Sequence, residues 1–229
     1  MLVLRSNGAK WLAKNTPSIP TFVGGCNHPG LLGAVNNLDA PEGNITGVTY
    51  YLPVRAQFEI FQAIIPNLNS VLLLVEKGHP GAEIDRNGTR EAAAELGIKY
   101  SEKVCATESD VIAAVKQAQG NVSAIIIGNQ ALILDATKNI VAAAGQTPVL
   151  AYSKKPVIDG AFGGFAADDT KLGYLLAESV VDVLVNGKAI ATVPVKVDPA
   201  PGFYVNTTTI EKLGIEIPYE TLESATLVQ

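Results

Sequence analysis

The residues best suited to chemistry in this 229-residue chain are two cysteines and two histidines, and all four lie within two residues of Gly, Asn, Pro or Thr at what read as chain junctions. Cys26-Asn27-His28-Pro29 sets a thiol, an amide and an imidazole side by side; Gly78-His79-Pro80 supplies a second imidazole and Cys105-Ala106-Thr107-Glu108 a second thiol. Imidazoles and activated thiols exchange protons near neutral pH, so these elements could carry acid–base or nucleophilic work. The competing readings are equally physical: a free cysteine is a good small core residue, and a histidine next to proline is a common turn residue. With no CxxC and only two cysteines, the spacing suits neither a zinc site nor a disulfide framework. There is no GxSxG elbow, no HExxH and no GxxxxGK[ST], and the glycines from Gly160 to Gly164 lack GxGxxG spacing. Serine-hydrolase, zinc-protease and nucleotide-binding chemistry therefore have no support, and no cofactor or metal is expected.

Composition narrows the classes further. Charged residues make up 17% and AVILMFWYC residues 48%, against roughly 25% charged in an ordinary domain, so apolar sequence is plentiful. The net charge of -5 arises from 17 basic and 22 acidic residues with no basic cluster, which argues against a nucleic-acid partner. The longest aliphatic runs, such as Val71 to Val75, fall far below the roughly 20 residues of a spanning helix. Met1 to Arg5 is too short to read as an export segment, so none is read within this chain, and a periplasmic or cell-surface location is expected only if an upstream export signal exists.

Positioning these residues calls for regular elements, and the pattern alternates short apolar runs with helical periodicity, the signature of parallel sheets flanked by helices. Strands are expected at Leu2-Leu4, Thr21-Gly24, Ile45-Tyr50, Ser70-Val75, Lys99-Val104, Ala124-Ile127, Pro148-Tyr152 and Ala161-Phe165. Several are apolar throughout and so should be central strands with both faces covered. Helical spacing appears in Val54-Phe58-Phe61-Ile65, in Ile84-Gly88-Ala92-Leu96, in Val111-Ile112-Val115-Ala118 and along Leu172 to Leu184. Thr107 with Asp110 forms a candidate capping box. Beyond Gly187 the reading is an extended segment over Ile190 to Val197, a turn at Pro199-Ala200-Pro201-Gly202 and a short helix over Thr207 to Leu213.

Ligands of open parallel sheets bind beyond the carboxyl ends of the strands. That rule selects Ser6 and Asn7, Asn27 and His28, Glu76 and Lys77, Asn129 and Gln130, and Ser153 and Lys154 as ligand-binding candidates, with no residue assigned a catalytic role. Tyr50 and Tyr51 either stack on a ligand ring or simply pack where the chain crosses.

Two resemblances bear on these residues. Cys26-Asn27 followed by Cys105-Ala106-Thr107 is similar, over two or three residues, to the paired thiols of cofactor-independent amino-acid racemases, which makes such an enzyme the alternative reading. The broader resemblance covers nearly the whole chain. It is carried by Ile19 to Val23, by Ala40-Pro41-Glu42-Gly43 leading into Asn44-Ile45-Thr46-Gly47-Val48-Thr49-Tyr50-Tyr51-Leu52-Pro53, by Glu95 to Ile98, Pro148 to Ala151 and Asp169 to Gly173, and by Leu213-Gly214-Ile215-Glu216-Ile217-Pro218. These stretches resemble the substrate-binding proteins of ABC transporters, in the subfamily that includes tryptophan and tyrosine binders.

That resemblance implies an α/β, two-lobed type I periplasmic-binding-protein-like fold and a non-enzymatic solute receptor of an ABC importer, its small polar or aromatic ligand held in the interlobe cleft. The lobes would be 1–48 with 155–188, and 49–154 with 189–229. Crossings would fall near Gly47 to Tyr51, Ser153 to Val157 and Gly187 to Thr192. Members of the family carry about two βα units ahead of the position matching Met1, so the first lobe is expected to be incomplete and its exposed edge to support a homodimer. An ABC permease is the implied macromolecular partner. Only Glu76 among the junction residues offers charge for an ammonium group, so among the ligands open to it, an amino acid or a small carboxylate, an α-amino acid is not the favoured one, while Lys77 and Lys154 suit a ligand with a carboxylate.

Overall fold

A computed structural model describes residues 1–229. In chain order the first elements are β1 (Leu2–Leu4), α1 (Arg5–Leu12), β2 (Thr21–Cys26), β3 (Ile45–Thr49), α2 (Val54–Ile64), β4 (Ser70–Glu76) and α3 (Pro80–Glu95). There follow β5 (Lys99–Cys105), α4 (Glu108–Ala118), β6 (Ala124–Ile127), α5 (Ala131–Asp135), α6 (Thr137–Ala144), β7 (Val149–Ala151) and α7 (Lys154–Ile158). The last are β8 (Gly163–Ala166), α8 (Asp169–Leu184), β9 (Gly202–Asn206), α9 (Thr207–Leu213), α10 (Tyr219–Glu223) and β10 (Thr226–Val228). All eight expected strands are present within about two residues at each end.

The chain divides into two compact units, Met1–Tyr51 with Ala167–Pro201, and Leu52–Ala166 with Gly202–Gln229. Unit 1 is built on a parallel sheet in the order β1-β2-β3. Along the free side of β3 runs the segment after Ile190: Val48 pairs with Lys196, whose N–H donates to the Gly47 carbonyl at 2.9 Å. The Thr46 hydroxyl donates to the carbonyls of Val193 and Pro194 at 2.6 and 3.1 Å, fastening that segment again. Helix α8 closes one face through Val48, Leu172 and Ala167.

Unit 2 is a seven-stranded sheet in the order β10-β9-β8-β7-β6-β4-β5, parallel except where β8 meets β9. Its core follows the period of two along the strands. Val71, Leu73, Val75, Ile126 and Leu150 face Phe58, Phe61 and Ile64 of α2, with Phe162 beside them; Leu72, Leu74, Ile125 and Ile127 face Val111 and Val115 of α4 together with Ile133 and Ile140. Both faces of β4 and β6 are thus covered, which is why they read as unbroken aliphatic runs.

The first crossing lies at 51/52, at the end of the expected stretch, whereas the second and third need correction, to 166/167 and 201/202. The stretch 155–166 stays in unit 2 because β8 pairs with β7 and β9 there, whereas 189–201 stays in unit 1 because its backbone lies against β3. The lobe limits 1–48 with 155–188 and 49–154 with 189–229 shift accordingly. Strands β9 and β10 were hidden, one behind Pro199 to Pro201 and the other in a three-residue terminal run.

At the sheet edge, β5 carries Lys99, Glu102 and Lys103, charges that protect an open edge from further pairing. Glu102 accepts from Arg86 Nε at 2.9 Å, from Arg90 Nη2 at 3.3 Å and from the Tyr100 hydroxyl. The Arg86 hydrogen bond, reinforced by Tyr100, holds its carboxyl down at about 2 against an ordinary 4.5. A carboxyl depressed on folding stabilises above its unfolded value and loses that contribution as pH falls through the folded one. Glu102→Gln is expected to cost about 1 to 2 kcal/mol at pH 7 after allowance for solvent screening, a gap that closes between pH 4.5 and about 2. Urea unfolding across that range checks it, and a gap independent of pH would refute it.

Candidate functional site

Each unit presents a cluster of polar groups at the carboxyl ends of its strands. In unit 1 the β1–α1 turn brings Ser6 inward, where its Oγ accepts the Asn27 N–H at 3.1 Å, and Asn27 Oδ1 accepts the His28 N–H at 2.9 Å. His28 Nδ1 in turn accepts the Leu31 N–H at 3.2 Å, which leaves the ring proton on Nε2. Its ring meets Tyr51 edge-on, centroids 5.0 Å apart. Burial lowers the His28 pKa, so the ring is neutral at pH 7. Thr49 Oγ1 closes the end of the sheet by donating to the Cys26 carbonyl at 3.2 Å and accepting the Tyr51 N–H at 3.0 Å.

Ser6, Asn27, His28 and Tyr51 therefore form one connected group. Asn7 stands apart, exposed on α1, and Tyr50 packs half-buried on the Val48, Ala167 and Leu172 cluster, the packing alternative for that residue.

In unit 2 the junction after β6 is the centre. Gln130 is fully buried, with its amide spent internally: Oε1 accepts the Glu76 N–H at 3.2 Å and Nε2 donates to Asp85 Oδ2 at 2.6 Å. The same Asp85 oxygen accepts the Asn129 N–H at 2.9 Å, while Asn129 Nδ2 donates to the Tyr152 carbonyl at 3.3 Å. Glu76 Oε2 accepts the Leu132 N–H at 3.2 Å. One network thus binds the ends of β4, β6 and β7 to α3. Gln130, expected among the ligand-binding residues, lies where its amide supports its neighbours.

Asn129 remains half-buried, and the buried Oγ of Ser153 has no hydrogen-bond partner, an unsatisfied group of the kind a polar ligand completes. Lys77 is exposed, whereas Lys154 lies over the Tyr204 ring, its ammonium 5.1 Å from the centroid. His79 caps α3, its Nδ1 accepting the Gly81 N–H at 3.1 Å, and burial lowers its pKa as well.

Asp85 was missed by sequence reasoning. The signal was present: Gly81, Asp85, Thr89, Ala92 and Ala93 share the buried face of α3, and two of them are polar. A polar residue on an apolar stripe needs a partner, and Thr89 has one in the Tyr152 hydroxyl at 2.7 Å.

The cysteines do not support the racemase alternative. Cys26 is buried with its thiol 3.9 Å from the Val48 carbonyl, and burial pushes its pKa up to about 12, so no thiolate forms near neutrality. Cys105 is buried as well and its pKa is raised, first by desolvation and then by Asp110. The unit 1 cluster offers a neutral imidazole, a phenol, a hydroxyl and an amide, and the unit 2 cluster amides, a hydroxyl and the charged groups of Glu76, Asp85, Lys77 and Lys154, which is chemistry suited to holding a polar small molecule.

Comparison with known proteins agrees with this chemistry. The family described as ABC transporter substrate binding protein matches residues 4–229. A tyrosine-binding protein of Clostridioides difficile strain R20291 is 24% identical over 203 residues, 88% of this chain and 59% of its own length, so the chain spans less than two thirds of that relative. Among solved structures, a conserved domain protein from Vibrio cholerae O1 biovar El Tor strain N16961 matches with a TM-score of 0.90 at 26% identity, over 100% of this chain and 77% of that one. An ABC domain from Streptococcus pneumonia in complex with L-Trp matches with a TM-score of 0.87 at 23% identity, over 100% of this chain and 80% of that one, a likeness of fold. With its family matched from residue 4 to residue 229 and its α/β architecture shared with these structures, the chain belongs to the ABC transporter substrate-binding protein family, with the type I periplasmic-binding-protein fold.

Proposed function

We propose that this chain is the solute receptor of an ABC importer and takes an aromatic amino acid of the tyrosine and tryptophan type, contacted by the strand-end junctions of both units. The observation that carries the reading is the family match over residues 4–229, joined to two polar strand-end clusters with no activated nucleophile. The ligand class rests on what the relatives bind, a tyrosine-binding protein and a structure with L-Trp. Asn129, His28, Tyr51 and the unpartnered Ser153 hydroxyl are the groups suited to it, and Lys77 is the exposed cation for a carboxylate.

On this reading the chain is not an enzyme, a membrane permease is its macromolecular partner, and export places it in the periplasm or at the cell surface. A homodimer through β1 belongs to the same proposal, since Leu2 and Leu4 are 58% and 55% exposed on that edge strand. A thermal-shift screen against amino acids, nucleosides and small carboxylates tests the reading. A ligand at 100 times its dissociation constant adds about 2.7 kcal/mol, and the expected result is stabilisation by aromatic amino acids. Stabilisation by nucleosides alone would contradict it.

A further inference from the structure

We infer that Asp198 is a clamp that makes the three chain crossings behave as one hinge, whichever solute is bound. The chain passes between its units at 51/52, 166/167 and 201/202, and any rotation there is absorbed by a few residues at those points. On the unit 1 side the three segments are tied together. The first and third are joined by the backbone: Lys196 N–H donates to the Gly47 carbonyl at 2.9 Å and Thr49 N–H donates to the Lys196 carbonyl at 3.1 Å.

The second and third are joined by one carboxylate. Asp198 Oδ2 accepts the Asp168 N–H at 2.8 Å, its Oδ1 accepts the Ala200 N–H at 2.9 Å, and the side chain is wholly buried. The Lys171 ammonium lies 3.6 Å from Oδ1 and donates to the Ala200 carbonyl at 2.6 Å. Asp168 is also the N-cap of α8, its Oδ1 accepting the N–H groups of Thr170 and Lys171. Asp198 therefore grips the start of the unit's long helix and the exit of its last segment at once. Segments hydrogen-bonded in this way move as one body, so bending is confined to the residues beyond the clamp. The apolar cluster of Val48, Ala167 and Leu172 lines the same place but lacks direction, whereas a charge-assisted pair of amide bonds fixes spacing.

The readout is a distance distribution between the units in the absence of ligand. Nitroxide labels go on Tyr174→Cys in unit 1 and Lys103→Cys in unit 2, both exposed, in a background where Cys26 and Cys105 are changed to Ala. Pulsed electron resonance is recorded with Asp198 and with Asp198→Asn, beside circular dichroism to establish folding. The expected result is a distribution at least twofold broader in Asp198→Asn with an unchanged dichroism spectrum; an unchanged width in the folded variant overturns the inference. If Asp198→Asn does not fold, Asp198→Glu decides: it keeps a carboxylate for Lys171 but moves it one methylene away from the N–H groups of Asp168 and Ala200. A broader distribution in that variant supports the clamp and an unchanged one overturns it.

Discussion

Gly47→Ala is expected to destabilise unit 1 by at least about 3 kcal/mol, at the upper end of what overpacking costs, and to reduce folded protein sharply. A Cβ at Gly47 would sit 1.9 Å from the Val23 carbonyl oxygen and 2.7 Å from its nitrogen, and φ is +154° there. The obstacle is the backbone of the neighbouring strand, so no rotamer change relieves it. Gly47 is also held from the other side, where its carbonyl accepts Lys196 N–H, and moving β3 away from β2 would press it into the segment that carries Asp198. Urea unfolding of Gly47→Ala against the unchanged protein measures the cost; a loss below about 1 kcal/mol would show that the two strands can part and that the packing described is wrong.

Asp85→Ala is expected to cost unit 2 about 3 kcal/mol. Its carboxylate takes two donors, Asn129 N–H and Gln130 Nε2, and hydrogen bonds to a charged group contribute about 1.5 to 3 kcal/mol each. Losing it leaves both donors without that acceptor, and Gln130 is then free to release the Glu76 N–H as well. Asp85→Asn keeps one oxygen acceptor and should cost roughly half as much. Because Asn129 is itself a ligand candidate, both variants should also weaken solute binding, in the same order. Equal stability of Asp85→Ala and the unchanged protein would remove the network from the account.

Much of this was legible in the residues. Apolar runs such as Val71 to Val75 and Ala124 to Ile127 read correctly as central strands, because burial on both faces leaves no room for alternation. The Asn44-Ile45-Thr46-Gly47-Val48 stretch has a physical explanation: Asn44 Nδ2 donates to the Pro17 carbonyl at 3.1 Å, Thr46 fastens Val193 and Pro194, and Gly47 admits the close strand. The capping box of Thr107 and Asp110 is present as the spacing requires.

Other features could not be read locally. Gly163-Gly164-Phe165-Ala166 is held in unit 2 by pairing with β7 on one side and, some 40 residues later, with β9 on the other, and neither pairing shows in the local sequence, so the second crossing was placed too early. Asp85 and Gln130 find each other across 45 residues, and no sequence spacing announces that a helix carboxylate will hold a loop amide. Gln130 reads as a ligand group because its type and junction fit, yet it is buried and both ends of its amide bond within the protein, to Glu76 and to Asp85.

The central claim is that this chain binds an aromatic amino acid without transforming it. Titration calorimetry with L-tyrosine and with L-tryptophan, followed by chiral chromatography of the recovered ligand, tests it most directly. The account predicts saturable binding of at least one of the two at a single site per chain, with the recovered amino acid still wholly L. No binding of either, or appearance of the D form that either Cys26→Ala or Cys105→Ala abolishes, would contradict it.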